Sequence, residues 1–191
     1  MVVAGLLLAA GAGRRMGLPK GLVRDADGTP WVARSVQALA AGGCHPVVVV
    51  VGARADEVAA LVPPSAVTVT AVGWAEGMGA SLRSGLDVLA GRAGPEVVAV
   101  IVGLVDTPGV TPAVVVRLTA RAADRGPSGL ARAAYDGVPG HPVVLGRDHW
   151  TAVAGEARGD AGARAYLSTR AVDLVECSDV GDGRDVDRPA P

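Results

Sequence analysis

An apolar run, Val3–Leu8, breaks without a spacer into a glycine-rich loop that ends at Lys20 and carries Arg14 and Arg15 on the way. A run this short and this apolar reads as a strand buried on both faces, the habit of parallel sheets. Parallel neighbours need a crossover, so this opening commits the chain to βαβ construction. Glycines in such a loop let backbone N–H groups approach an anion closely, and nearby cations neutralise it. Of the 18 Lys and Arg residues, only Lys20 is a lysine. A chain that otherwise uses arginine, yet ends this loop on lysine, places a compact point charge there instead of a flat fork. A nucleoside triphosphate site is expected.

The same rhythm continues along the chain. Thr29-Pro30 predicts a helix start, with Thr29 as N-cap and Pro30 in the first position. Trp31, Val32, Ser35, Val36 and Leu39 share one helical face, and Gly42-Gly43 closes it. Val47–Val51 is an unbroken run of valines, a strand with no solvated face. A short helix over 54–62 stops at Pro63-Pro64, and Val67–Val72 predicts a third strand. Gly77–Leu89 reads as a helix and Val97–Val102 as a fourth strand, followed by Asp106. Thr111–Arg125 is helical, capped by Thr111 with Pro112 in its first turn. Then come a strand near 129–134, an apolar segment at 140–146, helical stretches near 147–154 and 161–168, a last strand at Leu174–Cys177 and an acidic loop. Ligands of an open parallel sheet bind at the carboxyl ends of its strands. The glycine loop, Trp74–Ser81 and Asp106 all follow strands, so they should converge on one edge.

Composition narrows the classes. With 191 residues, 50 % of them hydrophobic and 19 % charged, one ordered domain over 1–191 is expected. There is no Phe, so the core must be built from small aliphatic side chains. A net charge of −1 offers no field for nucleic acid or an anionic membrane, and neither partner is expected. Cys44 and Cys177 stand apart, without metal-ligand spacing, and read as buried thiols in a cytoplasmic protein. The arginines follow the apolar start, the reverse of a signal peptide, and no segment reaches the ~18 apolar residues of a membrane span.

The loop is not a Walker A loop, because no GxxxxGK[ST] spacing can be drawn. A dinucleotide fingerprint needs GxGxxG or GxGxxA; here Gly11-Ala12-Gly13 runs into Arg14, Arg15 and Met16, and the second strand ends in Gly52-Ala53-Arg54 without a ribose-binding acid. What the stretch Leu8-Ala9-Ala10-Gly11-Ala12-Gly13-Arg14-Arg15-Met16-Gly17-Leu18-Pro19-Lys20 matches is LAAGxGxRMGxxK. It resembles the nucleotidyltransferases that couple NTPs to phosphorylated acceptors, and within them the MobA-like NTP transferases. Three later segments are similar to the molybdenum cofactor cytidylyltransferase branch: Trp74–Leu82 to WxxGMxxSL, Gly140-His141-Pro142-Val143 to GHPV, and Gly159–Arg164 to GDxGAR.

The resemblance implies a three-layer α/β/α Rossmann-like sandwich with a mostly parallel mixed sheet. It also implies attack by an acceptor phosphate oxygen on the α-phosphorus of an NTP, releasing pyrophosphate. Such a transfer rests on charge neutralisation and positioning, and the sequence offers no Ser-His-Asp or Cys-His set. By resemblance Arg15 holds the β- and γ-phosphates and Lys20 meets the α-phosphate, these two being the catalytic pair. Leu8, Ala9, Ala10, Gly11, Gly13, Gly77, Gly79 and Ser81 complete the nucleotide site. His141 and Asp160 lie in the acceptor-side motifs. Asp106, at a strand's carboxyl end before Pro108, suits Mg²⁺, or Mn²⁺ in its place. Asp185-Val186-Asp187-Arg188-Pro189 resembles the family's DIDTP segment, so Asp187, with Asp185 behind it, is the expected second metal ligand. The methyl of Ala10, where GTP-using relatives carry glycine, favours CTP over GTP. Molybdopterin is the implied acceptor, and a molybdoenzyme could receive the product. The rivals are a sugar- or polyol-phosphate NTP transferase and a non-catalytic molybdopterin-handling chaperone.

Overall fold

The computed structural model describes residues 1–187. Its strands are β1 (Val2–Ala9), β2 (Cys44–Val51), β3 (Val67–Thr70), β4 (Val97–Leu104), β5 (Leu130–Tyr135), β6 (Val138–Gly146) and β7 (Asp173–Glu176). Between them lie α1 (Trp31–Ala41), α2 (Ala55–Ala59), α3 (Met78–Arg92), α4 (Pro112–Arg125), α5 (Trp150–Glu156) and α6 (Arg164–Ser168). One seven-stranded sheet runs in the order β3-β2-β1-β4-β6-β5-β7. Only β6 is antiparallel to its neighbours, β4 and β5. Helices cover both faces, so this is an α/β/α sandwich with a mostly parallel mixed sheet.

The valine run shows why the layers form. Val47, Val49 and Val51 enter the core under α1 and α4, while Val48 and Val50 enter the core under α3. Each of the five is 4 % exposed or less, so both sides of β2 need a helical cover. Small side chains let the layers approach closely. At Gly85 of α3, a Cβ would stand 2.4 Å from Leu6 Cδ1 of β1.

Two local readings change. Pro30, not Thr29, is the N-cap of α1, and no side chain caps it. The Val23 carbonyl takes the Trp31 N–H at 2.8 Å, the amide that a Thr29 cap with Pro30 in the first position could have met. The third strand stops at Thr70, and Val72 is 94 % exposed in the turn beyond it. Thr111 does cap α4, its Oγ1 accepting from Val114 N at 3.4 Å.

Topology places the site. The chain moves outward from β1 through β2 to β3, then returns to add β4 on β1's other side. A crevice therefore opens beyond the carboxyl ends of β1 and β4, where the order reverses. Because β6 runs backwards, its beginning, with Gly140 and His141, lies at that same edge.

Candidate nucleotide and acceptor site

A groove of about 870 Å³ occupies this edge. The glycine loop forms one wall, Trp74–Ser81 another, and Asp106, Arg132, His141, Asp160 and Arg164 the far side. The loop's shape follows from its glycines. Gly13 has φ +58°, and a Cβ there would sit 1.9 Å from the Leu18 carbonyl oxygen, so no other residue fits. At Gly11 a Cβ would meet nothing, which leaves that backbone open to the groove. Met16 turns inward, 8 % exposed, and anchors the loop to the core.

Lys20 is the centre of the charge pattern. Its Nζ donates to Asp106 Oδ2 at 2.8 Å and to Asp187 Oδ1 at 2.7 Å. Arg15 Nη1 reaches the other oxygen of Asp187 at 2.5 Å. Burial works to lower the Lys20 pKa, but the bonds from Asp106 and Asp187 outweigh it and hold the ammonium above its ordinary value. Residues 20, 106 and 187, far apart in sequence, thus meet at one point.

The tail that delivers Asp187 is tied down along its length. Val180 O accepts from Thr111 Oγ1 at 2.6 Å, Asp182 N donates to Gly109 O at 3.0 Å, and Val186 N donates to Asp106 O at 2.9 Å. Arg117 grips Asp179 with two bonds of 2.6 Å. The segment is a strap along the turn between β4 and α4. Asp185 lines the groove, while Arg188 and Pro189 lie outside the described residues.

A divalent cation can be tested against the donors. Asp106 Oδ1 is buried with no hydrogen-bond partner, an orphan that a cation would satisfy. Among the described residues no three His, Cys, Asp or Glu side chains gather as an all-protein cage. Two carboxylates beside an anion cradle suit a cation that keeps waters and shares phosphate oxygens, as Mg²⁺ and Mn²⁺ do.

Leu8, Ala10, Gly11, Gly13, Arg15, Lys20, Gly77, Ser81, His141, Asp160, Asp106 and Asp187 all line the groove. Two expected residues do not. Ala9 packs into the core on the opposite face of the sheet. Gly79 is where α3 touches the 157–158 backbone, a Cβ there standing 2.7 Å from Arg158 N. Gly77 has a similar duty, with Asp160 Oδ1 at 2.6 Å from its Cβ position. Ser81 is 4 % exposed and is not a cap. Asp160 caps no helix either; it lies in a single 3₁₀ turn before α6. His141 Nδ1 is buried without a partner, and burial, with Arg132 nearby, pushes the imidazole below its ordinary value. Residue-by-residue reading passed over Arg132. Its signal was a lone charge in an otherwise small, apolar strand, Leu130-Ala131-Arg132-Ala133-Ala134.

Residues 5–174 match the MobA-like NTP transferase domain, and the chain belongs to that family. It is 38 % identical over 197 aligned residues to the nicotine blue oxidoreductase of Paenarthrobacter nicotinovorans, covering 97 % of this chain and 92 % of the relative. A homologue of Mycobacterium tuberculosis Rv0371c from Mycobacterium sp. strain JC1 superposes with a TM-score of 0.79 at 28 % identity, covering 97 % of this chain and 90 % of that one. Mycobacterium tuberculosis Rv0371c itself, solved as a complex with manganese, shares the fold with a TM-score of 0.70 at 22 % identity, over 92 % of this chain and 88 % of that one.

Proposed function

We propose that the protein transfers a nucleotide from an NTP, CTP in preference to GTP, to a phosphorylated acceptor with release of pyrophosphate. Molybdopterin is the acceptor the motif resemblances favour. The observation that carries the reading is the meeting of Lys20 with Asp106 and Asp187 at the mouth of the glycine loop. Asp106 and Asp187 would hold Mg²⁺ or Mn²⁺, and the manganese complex of the mycobacterial neighbour supports a divalent cation. When bound, that cation neutralises phosphate charge. Lys20, released from the two carboxylates, stabilises charge on the α-phosphate, and Arg15 holds the phosphates beyond it. Glycine-loop amides fix the chain of phosphates in line with the acceptor, so that position and charge do the work of a protein nucleophile.

A pyrophosphate-release assay with CTP, Mg²⁺ and molybdopterin tests this. Release that needs all three supports it. Molybdopterin binding without release supports the chaperone reading instead. One observation favours a second activity: the relative at 38 % identity is named an oxidoreductase. Reduction of a conjugated dye by an added reductant, and no pyrophosphate with any NTP, would favour that reading over transfer.

A further inference from the structure

Arg132 is the only charged residue of β5. It pairs in register with Val143 and alternates with Ala131 and Ala133, so it projects to the α3–α6 face beside Leu130 and Val143. It is half-buried there. Its Nε and Nη2 both donate to the Gly140 carbonyl, at 3.1 and 3.0 Å, which leaves the rest of the guanidinium's donors unused. Arg164, the first residue of α6, is exposed and lines the same groove. Among the described residues no carboxylate pairs with either arginine, whereas Arg34, Arg54, Arg83, Arg117 and Arg125 each have one. Burial first, and then the charge of Arg164, lower the pKa of Arg132. Arginine cannot escape that cost by losing its proton, so an uncompensated, half-buried guanidinium is held ready for an external anion. His141, with its bare Nδ1, lies on the same wall.

This wall faces the glycine loop from a distance. In the sheet, β5 lies three places from β1, roughly 14 Å away at ~4.8 Å per strand. The groove thus has basic side chains at both ends: Lys20 and Arg15 at one, paired with Asp106 and Asp187, and Arg132 and Arg164 at the other.

We propose that Arg132 and Arg164 are the subsite for the acceptor's phosphate monoester dianion. The inference rests on the nucleotidyltransferase reading and adds the residues that select the acceptor. A guanidinium fork takes two oxygens of the monoester, leaving the third free to attack. That oxygen bonds to the α-phosphorus, the α–β bridging bond breaks, and its electron pair leaves on pyrophosphate. The dianion carries no proton, so no base is needed.

The test is calorimetry in two stages. Protein with Mg²⁺ is titrated with the α,β-methylene analogue of CTP; phenyl phosphate is then titrated with the analogue present and, separately, without it. A null first stage counts against the nucleotide reading, and the second stage still judges the subsite. Arg132→Gln and Arg164→Gln should each weaken phenyl phosphate at least about tenfold, while analogue affinity changes less than about twofold. Arg92→Gln removes the same charge at the exposed end of α3, outside the groove, and should change neither. Arg164 is exposed, so its replacement leaves folding aside. Wild-type protein that binds no phenyl phosphate, or Arg164→Gln protein that binds it like wild type, would overturn the proposal.

Discussion

Lys20 and its two aspartates form one balanced unit, and each member is held by the others. The bonds from Asp106 and Asp187 raise the Lys20 pKa despite its burial. A raised folded-state value means the contact stabilises fully below the ordinary 10.5 and fades only as pH climbs past it. The ammonium is therefore fixed through neutral pH, as the phosphate-binding role proposed for it requires. Lys20→Ala should cut turnover by about 10²–10³ in steady-state pyrophosphate release, the scale of losing one preorganised charge contact. Wild-type turnover in that variant would remove Lys20 from the chemistry. Asp106→Ala should abolish Mg²⁺-dependent nucleotide binding by calorimetry, since it deletes the orphaned oxygen and half of the carboxylate pair. Retained Mg²⁺ dependence would contradict its role as ligand.

At the scale of elements, the strap over residues 177–187 decides whether Asp187 arrives. Thr111 Oγ1 ties it to α4, accepting from Val114 N of the helix and donating to Val180 O of the strap at 2.6 Å. Thr111→Ala should lower stability by about 1–2 kcal/mol in urea denaturation, and Thr111→Ser should restore it. Nucleotide affinity should fall with the alanine variant too, because the strap is loosened. Glu176, at the end of β7, closes the β5–β6 hairpin against the strap. It accepts from the Ser178 hydroxyl and amide and from the Gly137 and Asp136 amides, which together hold its carboxyl down to about 2 from an ordinary 4.5. A depressed folded-state value gives stability that is present above 4.5 and lost as pH falls towards about 2. Glu176→Gln should lower the melting temperature at neutral pH and flatten its decline across that acid window. An unchanged acid slope would show that the hairpin bonds do not matter to stability.

At the scale of the whole molecule, binding couples to unfolding because the groove spans β1, β4, β5, β6 and the strap. A nucleotide at 100 times its Kd adds about 2.7 kcal/mol, which for a chain of this size is roughly 5–10 °C in melting temperature. CTP with Mg²⁺ should produce that shift, GTP a smaller one, and chelation should erase it. Equal shifts from all four NTPs would remove the base preference argued from Ala10. Among the described residues no helix is long and apolar enough to cross a membrane.

Much of this was written in local pattern. The apolar run, the unbroken valines and the glycine loop specify a buried parallel sheet with a glycine-rich loop at its carboxyl edge, because strand burial and loop geometry depend on neighbours in sequence. Lys20 and Asp106 could be named for the same reason, each standing directly after its loop or strand. Other features needed the folded chain. The carbonyl of Val23 displaced Thr29 as the partner of α1's first amide. Gly79 proved to be a helix–loop contact, and Ala9 a core residue. Above all, the tethering of an acidic tail onto Lys20 and, among the described residues, the absence of an ion pair to Arg132 or Arg164 belong to tertiary structure. Whether a charge is paired or bare depends on what stands next to it in space, and residues 20, 106, 132, 164 and 187 become neighbours only once the sheet is assembled.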